Sequence, residues 1–128
     1  MDRDLDREEL IGFTRDLVRR PSLSCQEEDV ARRVQEEMSR LGFDEVRMDD
    51  FGNVVGVIFG KESGPTLLLD AHTDTVDVTG GVPWDRDPFS GDVVGGYLHG
   101  RGSADMKGAL AGMVHAAGRT DRTGIRGR

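Results

Sequence analysis

Two short clusters hold the residues whose types and spacing could do chemistry. The first is Asp70-Ala71-His72-Thr73-Asp74-Thr75, which follows the apolar run Thr66-Leu67-Leu68-Leu69. A continuous apolar run of this length has the pattern of a strand buried on both faces, and the carboxyl end of such a strand is where open α/β sheets place their sites. His72 and Asp74, two residues apart, share one face of an extended chain. That arrangement suits an imidazole that binds a metal through one nitrogen while the other donates to a carboxylate, which fixes the tautomer and raises ligand basicity. It equally suits a capped loop in which Asp74 bonds backbone amides, and spacing alone leaves both readings open.

The second cluster is Gly100-Arg101-Gly102-Ser103-Ala104-Asp105-Met106-Lys107-Gly108, a glycine-lined approach to a predicted helix. It is not a nucleotide loop: it lacks Gly-x-x-x-x-Gly-Lys-Ser/Thr, and Asp105 stands where a dinucleotide fingerprint needs its third glycine. Taken alone, Asp105 could simply favour the helix dipole, worth about 0.3–1 kcal/mol. Lys107 is either a solvated helix-start lysine or a contact for an anion. Trp84 could stack on a substrate or anchor its loop. Cys25, the single cysteine, excludes a disulfide framework and a multi-cysteine zinc site, so any metal here must use histidine and carboxylates. Its place beside a predicted helix start would lower its pKa, but no histidine follows nearby to make it a nucleophile.

The elements that must position these clusters can be read from the punctuation. Of 18 glycines only Gly12 precedes Gly42, so the opening third reads as helices and the remainder as strands and turns. Asp6-Arg7-Glu8-Glu9 has capping-box spacing ahead of a helix with Leu10, Phe13, Leu17 and Val18 on one stripe, ended by Pro21. Ser24 to Glu27 repeats the signal before a second helix with Val30, Val34, Met38 and Leu41 on one face and Gly42 as its stop. A hairpin follows, with Val46 and Met48 alternating before a turn at Asp49 to Asn53 and a strand from Val54 to Phe59. The Thr66–Leu69 run is expected at the centre of the sheet. Gly95-Gly96 joins a second hairpin, and a last helix starts near Ser103 with Met106, Leu110, Met113, Val114 and Ala117 on one side. The fold class is therefore α/β: two helices, a mixed, mostly parallel sheet and a further helix. His99 falls on a hairpin strand and His115 on the last helix, both as structural residues.

Composition narrows the partners. The chain has 128 residues, enough for one ordinary domain, and its acids outnumber its bases 24 to 17, for a net charge of -7. That balance argues against a nucleic-acid binder, and there is no apolar run long enough to span a bilayer. The acidic start, Met1 to Asp6, does not have the basic-then-apolar form of a signal peptide, so the expected location is cytoplasmic.

Taken together, Leu67 to Val76, Trp84, Asp87-Pro88-Phe89 and Gly100 to Gly108 resemble, in order and spacing, the acetylornithine deacetylase, succinyl-diaminopimelate desuccinylase and aminoacylase family of dinuclear zinc peptidases. The resemblance extends upstream through Pro21-Ser22-Leu23-Ser24 and Phe51-Gly52-Asn53-Val54, and reaches about Gly118. Pro21 to Glu27 and Leu41 to Val46 look closest to the selenium-metabolism hydrolase subgroup. The resemblance implies that His72 and Asp105 are metal ligands, Asp105 bridging two zinc ions, and that Asp74 orients His72 as part of the catalytic apparatus. It also implies a cis peptide between Asp105 and Met106. Cobalt or manganese are alternatives to zinc. The implied reaction is hydrolysis of an amide bond in a small N-acyl amino acid or peptide, by a water that two metal ions acidify.

The family's catalytic glutamate and glutamate ligand should follow the second cluster, yet the last glutamate here is Glu62. The sequence thus reads as residues 1–118 of a partial catalytic domain without its lid, followed by an arginine-rich stretch, 119–128, that is off-pattern and expected to be poorly ordered, as after a frameshift or truncation. The 128 residues alone are expected to be inactive. The competing reading is a non-catalytic remnant or association module with at most a weak single-metal site, and an open sheet edge would favour self-association.

Overall fold

In a computed structural model, the structure describes residues 3–81 and 83–128. Three helices carry the core. Helix α1 (Arg3–Val18) and helix α2 (Glu28–Arg40) face each other and helix α3 (Gly108–Gly118). Phe13 and Leu17 of α1, Val30 and Val34 of α2, and Leu110, Ala111 and Val114 of α3 form one buried cluster, with Leu10, Met38 and Leu41 packed against it. The stripes predicted on the first two helices are therefore the faces that pack. Asp6 lies inside α1, so the expected capping box does not start that helix. Helix α2 begins after Glu27, whose carboxylate accepts from the Cys25 amide and does not cap the helix. Its end is as expected. Gly42 takes a left-handed φ of 75°, its amide bonds Ser39 O, and the Phe43 amide reaches back to Met38 O. This paired closure satisfies the last carbonyls and favours glycine because a side chain would be strained there.

Strands β1 (Glu45–Met48) and β2 (Val54–Val57) form the predicted antiparallel hairpin, with Val46 opposite Gly56 and Met48 opposite Val54. Asp49 sets the turn: one carboxylate oxygen accepts from the Phe51 and Asn53 amides. The second hairpin pairs β3 (Val93–Val94) with β4 (Tyr97–Leu98) across Gly95-Gly96.

The mostly parallel sheet is not found. Among the described residues both sheets are two-stranded and antiparallel. Thr66–Leu69, expected at the sheet's centre, is extended without being a strand, and Leu68 is 81% exposed. A strand gains stability only from neighbours on its edges and layers on its faces, and here neither β1 nor β2 pairs with this run. Its hydrogen-bonded neighbour is instead the end of the chain: Leu67 donates to Arg128 O, and Arg128 to Pro65 O. Residues 119–128 are placed by backbone hydrogen bonds of Ile125, Gly127 and Arg128 to the stretch from Gly60 to Leu67, and by charge. Arg119 pairs with Asp6 and Glu9, Arg122 with Asp44, and Arg126 with Glu62.

Beneath the helix faces lies an unexpected polar knot. Glu37, which the stripe assigned to the polar side of α2, is 1% exposed. It accepts from Arg33, Arg40 and His115. Burial alone would raise its pKa, but the guanidinium hydrogen bonds from Arg40 and Arg33 outweigh it and bring Glu37 down to about 2. His115 is buried and stacks on Phe13, and burial holds its pKa below the usual imidazole value against the pull of Glu37.

Candidate metal centre

The first cluster is positioned by a loop rather than by a sheet. Between α1 and α2, Ser22 is fully buried; its hydroxyl donates to Thr73 O, and its carbonyl accepts from the Thr75 amide. Two hydrogen bonds thus clamp the backbone on either side of Asp74. Two residues on, the Ser24 hydroxyl donates to Asp74 Oδ2 at 2.9 Å.

The second cluster is tied to the same loop. Helix α3 starts at Gly108, later than expected, because residues 103–107 form an irregular turn in which Asp105 and Met106 have non-helical backbone angles and the peptide between them is cis, as the resemblance implies. Lys107 is neither solvated nor free for an anion. It is 1% exposed, and its Nζ donates to Arg20 O at 2.7 Å. Burial pulls its pKa down to about 8. Gly102, with φ of 81°, sits where a Cβ would come within 2.6 Å of Thr75 Cγ2, so a side chain there would push the two clusters apart.

The loop and the turn bring His72, Asp74 and Asp105 together. His72 Nδ1 lies 3.1 Å from Asp74 Oδ1 and 3.0 Å from Asp74 O, while Nε2 lies 3.0 Å from Asp105 Oδ1. Both ring nitrogens therefore face acceptors. With the Nδ1 proton given to Asp74, the side facing Asp105 calls for a cation, either a second proton or a metal ion. The hydrogen bond to Asp105 accordingly raises the His72 pKa, and the Ser24 hydroxyl leads the groups that lower that of Asp74. The side chains are open to solvent, His72 at 46% and Asp105 at 88% exposed, and line a groove of about 240 Å³ with Thr75, Val76 and Gly100 to Ala104.

As donors, His72 Nε2 and Asp105 fit zinc. Imidazole nitrogen and carboxylate oxygen are ordinary zinc ligands, and here the two atoms face each other 3.0 Å apart. Among the described residues, however, no group of three His, Cys, Asp or Glu is arranged to hold a metal. The sequence reading missed Ser22 and Ser24, whose signal is only their place in the Pro21-to-Ser24 segment.

An imidazole oriented by one carboxylate and opposed by another, across a glycine turn, is the kind of donor arrangement that metal-dependent hydrolases use. Residues 68–128 match the model of Peptidase family M20/M25/M40, and likeness to curated proteins runs over most of the chain. It is 43% identical over 109 residues to the protein YgeY of Escherichia coli K12, an alignment covering 84% of this chain and 26% of that protein. It is 38% identical over 109 residues to the succinyl-diaminopimelate desuccinylase of Cereibacter sphaeroides ATCC 17029, covering 84% of this chain and 29% of that one. The chain thus spans between a quarter and a third of the length of these relatives.

Proposed function

We propose that this chain contributes part of the metal centre of a zinc-dependent amidohydrolase acting on a small N-acyl amino acid or peptide in the cytoplasm. The observation that carries the reading is His72, set between Asp74 on Nδ1 and Asp105 on Nε2. His72 and Asp105 would hold the metal, with Asp105 shared between two ions. The metal, when bound, would acidify a water and polarise the scissile carbonyl. Asp74 keeps the Nδ1 proton, and so leaves the Nε2 lone pair for the metal side. Ser24 and Ser22 hold Asp74 and its backbone in place, and the buried ammonium of Lys107 fixes the turn that presents Asp105.

Two ligands do not complete a catalytic zinc site, which takes three and an open position. No glutamate after Glu62 stands ready as a base. Zinc titration by calorimetry tests the reading: we expect weak binding that His72→Ala and Asp105→Ala each abolish, and no chelator-sensitive turnover of an N-acetyl amino acid by the 128 residues. Binding unaffected by either substitution would sink it. The exposure of Leu67, Leu68 and Leu69 favours a second reading, an association module. Zinc-independent self-association with no zinc affinity would support that one.

A further inference from the structure

Arg101 is the residue of the glycine turn that the metal reading leaves without a task. Its guanidinium lies over the face of Trp84, 5.0 Å from the ring centroid. Its protein hydrogen bond among the described residues is a long one, Nη2 to Asp77 O at 3.3 Å. Nε is shielded from solvent and, among the described residues, has no acceptor. A guanidinium carries five N–H donors, and burying one without a partner is costly, so such a group asks for an explanation.

The surroundings supply one. Arg101 lines a cavity of about 390 Å³ with Trp84, Thr79, Pro83, Asp77 and Asp85, and it also lines the His72–Asp105 groove. One cation therefore stands at the junction of the two. Asp77 is not a competing partner for Arg101's free donors, because its carboxylate is spent on its own turn, accepting from the Val78 and Thr79 amides and the Thr79 hydroxyl. Asp85 adds a like charge that disfavours a ligand with a second negative group.

We propose that Arg101, held against Trp84, is a binding position for the single carboxylate of a small acylated amino acid whose remaining length extends toward the His72–Asp105 groove. The planar fork matches a carboxylate with two parallel hydrogen bonds, and the indole face keeps the fork in plane while the Asp77 carbonyl gives way. Only the choice of an N-acyl amino acid as ligand rests on the hydrolase reading.

Trp84 is the sole tryptophan, so its emission reports directly on the charge above it. The test titrates the 128-residue chain with N-acetylglycine and, in parallel, with N-acetylglycinamide, which has the same shape without the charge. We expect a saturable change with the acid and affinity weaker by roughly tenfold or more for the amide, the scale of one charged hydrogen-bonded contact. Arg101→Gln should abolish the response, Arg101→Lys should weaken it, and Lys61→Gln, which removes an exposed cation that lines neither cavity, should leave it intact. Equal response to acid and amide, a full response in Arg101→Gln, or none in the parent chain overturns the proposal. If Arg101→Gln loses its helical circular dichroism, amide shifts of Val78, Thr79 and Arg101 in the parent chain decide instead: they must move with the acid and not with the amide. A parent chain that binds no zinc but keeps the acid response removes the hydrolase reading alone, and one that binds zinc through His72 and Asp105 but shows no acid response removes this proposal alone.

Discussion

The three helices and the extended stretch from Phe59 to Thr79 both carry runs of leucine and valine, yet the helices bury theirs and the stretch does not. Phe13, Leu17, Val30 and Leu110 are in the core, while Leu67, Leu68 and Val76 face solvent. The difference lies in where backbone hydrogen bonds are found. A helix satisfies its own amides and carbonyls and needs only one apolar face covered, whereas an extended segment needs partners on both edges before its side chains can be buried. The candidate metal centre belongs to the second kind of region, and it is held by two serines and a lysine rather than by a sheet.

The comparison is sharpest at Glu37. Glu37→Ala leaves Arg33, Arg40 and His115 without their common acceptor and should cost about 3–5 kcal/mol in urea unfolding. The same residue gives the pH dependence. Its folded pKa of about 2 lies below the unfolded value near 4.3. Its contribution is therefore complete above the unfolded value and is lost as pH falls from there through about 2. The difference in urea midpoint between the parent and Glu37→Gln should shrink over that window.

Leu110→Ala empties part of the helical core and should destabilise by roughly 3 kcal/mol by the same measurement. Ser22→Ala removes a buried hydroxyl that clamps Thr73, and should cost about 1 kcal/mol while loosening zinc binding at His72 by more than that loss of stability explains. Leu68→Ser should change stability by less than about 0.5 kcal/mol and reduce self-association in sedimentation. A Leu68→Ser cost as large as that of Leu110→Ala would break the contrast between the two regions.

The helical half was legible because a 3.6-residue stripe and a stop at Gly42 are local signals, and the β1–β2 hairpin because its turn lies within a few residues of both strands. The Thr66–Leu69 run was misread because an apolar strand pattern states what a segment needs, not whether its neighbours are present. At the site, type and spacing put His72 and Asp74 on one face but left their role open, and Asp105 joined them only through the family resemblance; the fold brings the three together. Lys107 was not legible, since a lysine at a helix start is ordinarily solvated, and only the folded path of the loop from Arg20 to Ser24 shows that a carbonyl waits for its ammonium. Glu37 escaped for a similar reason: a stripe sorts residues into faces, and a third helix covers part of the face that looks polar.

The chain has two lysines among its 17 basic residues, and they sit in opposite surroundings. Lys61 is exposed, while Lys107 is sealed against the Arg20 carbonyl. Arginine is inert to amine acylation, so side-chain labelling of this protein by an acylating reagent reduces to two sites that mass spectrometry can separate. Lys61 should be modified in the native chain at once. Lys107 should be modified only in molecules whose Arg20-to-Ser24 loop has parted from the 103–107 turn, which makes its slow labelling a clock for the opening of the candidate site.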